Sequence, residues 1–232
     1  MNKTRVIVIG GVLIVLVAIT VQLLSTKHAV APQSATVESR GEVNGATTTA
    51  PKAKSTKTVS PSPIDSSLYS IAKGDSVAVW NFGGAYIGHP DLIAKADAEI
   101  KRFSDLIGTG KYTDTILYVS IANQYDLLGD GKQEYDYLVR AIKAGGSTTG
   151  LPWHNLGVLM ARLGALETAR GAYQKATLVQ PELRQWHYAY IEFLTTRING
   201  DSAEIERAFA AAFANVGQDT DILQLQSEWK KL

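Results

Sequence analysis

An uncharged run near the start of the chain, Val6 to Leu24 (VIVIGGVLIVLVAITVQLL), restricts the possible fold more than any other feature. As a helix it spans roughly 28 Å, close to the hydrocarbon thickness of a bilayer. A helix buried in a water-soluble core seldom stays apolar on every face, and here only Gln22, near the end, is polar enough to break the pattern. Residues 1–26 are therefore expected to form an N-terminal transmembrane anchor. The rival reading is a cleaved signal peptide, with Ala29-Val30-Ala31 as the small-x-small site. Two features favour the anchor: the run exceeds the usual apolar core of a signal peptide, and Pro32 would follow the cut. Lys3 and Arg5 precede the run, and Lys27 follows it. This small asymmetry orients the amino terminus toward the cytoplasm and the rest of the chain away from it.

Residues 27–67 are rich in Ala, Ser, Thr, Pro and Gly, with stretches such as ATTTAPKAKSTKTVSPSP. Large apolar side chains are almost absent, so burial cannot offset the entropy of ordering. This composition predicts a disordered linker whose function is reach.

Beyond residue 68 the chain changes character. Gly88-His89-Pro90, Gly108-Thr109-Gly110, Gly129-Asp130-Gly131, Gly145-Gly146, Gly164, Pro181, Asn199-Gly200-Asp201 and Gly217 separate segments of helical length. None shows sustained β alternation. The clearest unit runs from Leu151 to Pro181. Trp153, Leu156, Gly157 and Met160 fall on one helix, and Gly164 makes a turn. Ala169, Tyr173 and Ala176 fall on the next helix, and Pro181 stops it. Small residues at Gly157 and Ala169 let two helices touch. A second unit, Thr115 to Thr148, carries Tyr118, Ile121, Ala122, Tyr125, Leu138 and Ala141, with Glu134 following the Gly129 turn. Val77 to Gly110 carries Trp80, Gly83, Gly84, Ile87, Ala96, Ile100 and Phe103. Trp186 to Asp219 carries Ala189, Phe193, Phe209 and Ala212, with Asp201 and Glu204 as a capping box. Thr220 to Lys230 reads as an amphipathic final cap.

The order W-x2-L-G-x2-Y…A-x3-F…A…P in Leu151–Pro181 resembles the tetratricopeptide repeat (TPR) family, and the resemblance extends over residues 77–219. It implies an all-α domain over 68–232, a right-handed superhelix of antiparallel helix pairs with a C-terminal capping helix. In that family the first helix of each pair lines a concave groove that holds a segment of a protein or peptide partner. The groove residues so implied are Asn81, Gly84 and Ile87, then Val119, Asn123 and Asp126. His154, Asn155, Val158, Ala161 and Arg162 follow, with His187 and Tyr190 extending the row. Trp80, Gly84, Ala122, Trp153, Leu156, Gly157, Ala169, Tyr173, Ala176 and Pro181 fall at packing slots. Asn123 and Asn155 match two Asn slots of the family's carboxylate clamp, but Val119 stands where its first Lys belongs, so the clamp's electrostatic part is missing.

Composition and motifs narrow the function. The net charge is +1, which gives no basic field for nucleic acid. There are no cysteines, which excludes disulfides, zinc–thiolate centres and thiol catalysis. His154 and His187 lie one repeat apart. Equivalent positions on stacked hairpins are about 10 Å apart, too far to share one ion, so no metal or cofactor is expected. Asn81-Phe82-Gly83-Gly84 lacks phosphate-loop spacing, and no hydrolase, metalloprotease or EF-hand pattern occurs. The expected function is therefore not enzymatic: a membrane-tethered scaffold that binds a protein segment at the extracytoplasmic face. The alternatives are a module that stacks wall-polymer sugars on Trp80, Tyr86, Trp153, Trp186 and Tyr188, and a self-assembling envelope component.

Overall fold

Thr113, Asp130, Asp201 and Asp219 each stand just before a helix. Each side chain accepts a backbone N–H of the first turn, from Ile116, Gln133, Ala203, and both Asp221 and Ile222. Pro90 and Pro152 occupy first turns, where a missing N–H costs nothing. These signals punctuate a computed structural model that describes residues 70–198 and 201–231. The expected anchor (1–26) and linker (27–67) lie outside the described residues. No helix among the described residues is long and apolar enough to cross a membrane.

Among the described residues the fold is all-α. Its helices are α1 (Pro90–Ser104), α2 (Asp114–Leu128), α3 (Gly131–Gly145), α4 (Leu151–Arg162), α5 (Leu166–Val179), α6 (Arg184–Thr196), α7 (Ser202–Val216) and α8 (Thr220–Trp229). Three hairpins follow one another: α2 with α3, α4 with α5, and α6 with α7. Neighbouring hairpins join through α3 on α4 and α5 on α6, and α2 also touches α4. Helix α1 packs on α2, and α8 closes the other end against α6 and α7.

One core runs through the hairpins. Ala122, Leu138, Leu156, Met160, Ala169, Tyr173, Ile191, Phe209 and Ile222 all belong to it. Gly157 is the close-packing point of α4 on α5, because a Cβ there would lie 2.9 Å from the Tyr173 ring. Trp153 is half-buried and donates its Nε1–H to the Gly146 carbonyl at 2.7 Å. Ala176 is fully buried on α5, and Pro181 follows the end of that helix.

The segment Val77–Ile87, read from the sequence as the first helix of a hairpin, is not helical. Residues 70–89 form an irregular strap laid against the turns of the next two hairpins. Its backbone groups bond outward: Phe82 N–H to the Gly129 carbonyl (3.0 Å), Tyr86 N–H to the Leu127 carbonyl (3.0 Å), and Gly131 N–H to the Trp80 carbonyl (3.1 Å). An isolated bridge pairs Asn81 with Asp130. Gly83 and Gly84 each weaken a helix by about 1 kcal/mol, so tertiary hydrogen bonds win locally. Gly84 is needed for the crossing itself, since a Cβ there would meet Gly129 N and Leu127 O at 2.4 Å. Trp80 packs on Tyr135, with centroids 5.3 Å apart.

The strap also completes a helix that cannot cap itself. Ala165 precedes α5 and has no side-chain acceptor. Asp75 fills the role from 93 residues away, accepting Thr168 N–H and Thr168 Oγ1–H, each at 2.7 Å. Glu167 N–H adds a longer contact at 3.4 Å. Burial alone would raise the Asp75 pKa, but these hydrogen bonds outweigh it and hold the carboxyl below its usual value.

Candidate functional site: the face of α2, α4 and α6

The first helices of the three hairpins present successive polar residues, and two rungs tie α2 to α4. Asn155 donates Nδ2–H to Asn123 Oδ1 at 3.1 Å. Nearer the hairpin turns, Arg162 pairs with Asp126. The Arg162 guanidinium also lies over the Phe82 ring of the strap, 4.3 Å from its centroid. A third link joins α4 to α6, where Arg197 donates to the Ala161 carbonyl at 3.0 Å. Each rung spans 32 to 36 residues, one hairpin in sequence.

Beneath the Asp126–Arg162 rung lies Glu134, 5 % exposed, with Oε2 enclosed and unpaired. Burial first, and then the Asp126 charge, pushes its pKa up to about 9, against the opposing pull of Arg162. At neutral pH the buried carboxyl is therefore protonated, which removes the cost of an enclosed charge beside Asp126.

The residues expected to line the face divide into those open on it, those enclosed beneath it and those carried by the strap. Asn123, Asp126 and Val158 are partly exposed, and Arg162 is exposed. Asn155 is only 8 % exposed and serves Asn123. His154 and His187 turn inward. The His154 ring lies between Tyr173 (5.6 Å) and Trp186 (4.9 Å), with Nδ1 enclosed and unpaired. Its burial lowers the pKa from 6.5 to about 4. His187 is 3 % exposed, and its Nε2 lies 2.7 Å from the Pro181 carbonyl. Val119, Ala161 and Tyr190 are likewise buried. Asn81 and Ile87 are exposed but sit on the strap rather than on a first helix.

Sequence reasoning missed Phe82, Arg197 and Glu192 as neighbours of this face. Glu192 on α6 is exposed as a residue, yet partial burial of its carboxyl raises the pKa. It lies close enough to Tyr173 to help burial push that hydroxyl up to about 12. Nothing in the spacing marked Phe82, because its role depends on the strap.

The arrangement suits binding. Asn123 keeps its own amide N–H groups, Arg162 keeps donors beyond its ion pair, and Val158 supplies an apolar contact between them. Among the described residues no three His, Asp or Glu side chains gather in a way that could hold a metal ion. No family model matches the chain, and neither a curated protein nor a solved structure matches it.

Proposed function

We propose that the chain is a membrane-tethered protein–protein interaction scaffold at the extracytoplasmic side, holding a peptide segment of a partner along α2, α4 and α6. The observation that carries this reading is the pair of cross-helix rungs, Asn123–Asn155 and Asp126–Arg162. They hold two first helices in register and leave the Asn123 amide, Val158 and Arg162 available. A preset row of donors around an apolar contact suits an extended segment, because little entropy is lost on binding. The hairpin order and the Leu151–Pro181 pattern support a TPR-like superhelix with this face as its groove, and residues 6–24 supply the tether. Burial of Trp186 weighs against the wall-polymer alternative, since that indole cannot stack a sugar.

The test is capture. The full chain in detergent is immobilised by its carboxyl end and exposed to solubilised native membranes. A variant carrying Asn123→Ala and Val158→Asp, with unchanged helicity, serves as control. A partner held by the parent and lost by the variant supports the reading. Equal retention by both removes the site from this face, and no partner at all rejects the scaffold.

A further inference from the structure

Four side chains on another face of the α2–α3 hairpin have unused hydrogen-bonding capacity. Tyr118 and Tyr125 stand seven residues apart on one side of α2. Tyr137 of α3 meets both, stacked on Tyr125 at 5.5 Å and tilted to Tyr118 at 6.3 Å. Arg140, one turn further along α3, lies over Tyr137 at 5.1 Å. Its Nε is enclosed without a hydrogen-bond partner, and it makes no ion pair among the described residues. By contrast Arg102, Arg162, Arg170 and Arg184 all have carboxylate partners. No hydroxyl of the three tyrosines bonds another described residue. All four residues keep part of their surface exposed.

The enclosed Nε fixes the guanidinium over Tyr137, and its outer nitrogens, matched to a carboxylate, would form one of the stronger polar contacts in proteins. Tyrosine hydroxyls around it add neutral donors. Burial and then Asp114 raise the Tyr118 pKa. Burial, then Tyr137, Asp130 and Asp97, raise that of Tyr125. The hydroxyls therefore stay protonated. The same three aspartates disfavour a polyanion, so the local charge fits one carboxylate with basic neighbours.

We propose that Arg140, with the hydroxyls of Tyr118, Tyr125 and Tyr137, recognises a single acidic side chain of a protein partner. This site lies on a different face of α2 from Asn123 and Asp126, so it stands or falls independently of the groove.

The experiment follows the Arg140 Nε–H signal of the full chain in detergent micelles by nitrogen–proton correlation spectroscopy. Arg140→Lys assigns the signal by deleting it. The probes, at constant ionic strength, are N-acetyl-Lys-Glu-Lys amide, N-acetyl-Lys-Gln-Lys amide and inorganic phosphate. The expected result is a saturable shift with the Glu peptide and binding at least about tenfold weaker for the Gln peptide, the scale of a charge-assisted hydrogen-bond pair. Arg140→Lys, checked for an unchanged melting curve, should weaken Glu-peptide binding by about tenfold, read from the tyrosine ring signals. No saturable shift, equal binding of the Gln peptide, tighter binding of phosphate, or full affinity in Arg140→Lys would each overturn the proposal.

Discussion

Replacing His154 with Phe should make the domain less sensitive to mild acid. The ring sits between Tyr173 and Trp186, and no charged group compensates the burial that lowers its pKa to about 4. In the unfolded chain the imidazole titrates near 6.5. Above that value both states are neutral and the histidine has no pH-dependent effect. As pH falls from 6.5 toward 4, the unfolded state takes up a proton that the folded state refuses, and stability is lost. At pH 5 the loss is about 2 kcal/mol, approaching about 3 kcal/mol below pH 4. Glu134 acts in the opposite direction, because its folded pKa of about 9 lies above the unfolded value, so acid relieves its penalty. The parent's absolute trend therefore mixes two effects, and the difference between parent and variant isolates one. Urea unfolding followed by circular dichroism at pH 7 and pH 5 measures it. His154→Phe should gain about 2 kcal/mol relative to the parent between the two conditions. Identical pH responses in the two proteins would refute the argument that His154 is buried as a neutral ring.

Asp75→Ala removes the side-chain cap that α5 has among the described residues and should cost about 1 kcal/mol in thermal unfolding, with Asp75→Asn intermediate. Gly84→Ala should cost about 1–3 kcal/mol because its Cβ meets backbone atoms of the α2–α3 turn. Gly83→Ala, with no atom within 4 Å, should stay within about 0.5 kcal/mol in the same urea assay. A double-mutant cycle on Asn123→Ala and Asn155→Ala should give a coupling of about 0.5–1.5 kcal/mol, and a value near zero would dissolve the rung.

The helices from Asp114 onward were legible because their signals are local. Capping residues, Gly and Pro breaks, and apolar residues three and four apart all lie within one element, and these decide where Leu138, Met160, Ile191 and Phe209 pack. The strap was not legible. Trp80, Gly84 and Ile87 have helical spacing, but the backbone groups of Trp80, Phe82 and Tyr86 find their partners at Gly131, Gly129 and Leu127, and no window of local sequence contains them. Nothing local marks Asp75, because the uncapped helix it serves is far away in sequence. Within the site, the one-repeat spacing of Asn123 and Asn155 agrees with their hydrogen bond, whereas nothing in the local sequence marks the enclosure of His154 by Tyr173 and Trp186. Trp153, His154 and Asn155 are consecutive, and only the packing of Trp186 against α4 shows that the His154 ring is enclosed between aromatics.

The strap also sets an order of events during synthesis. Each hairpin joins neighbours in sequence and can form soon after it leaves the ribosome. Asp75, in contrast, emerges 93 residues before Thr168. At 5–20 residues per second, roughly 5–20 s separate the two. Throughout that interval Asp75 has no N-terminus to cap, and the path from Ala72 to Asp75 has no docking site. The Asp75 end of the strap can therefore set only once α5 has formed, and its high contact order makes it slower than the local hairpins around it.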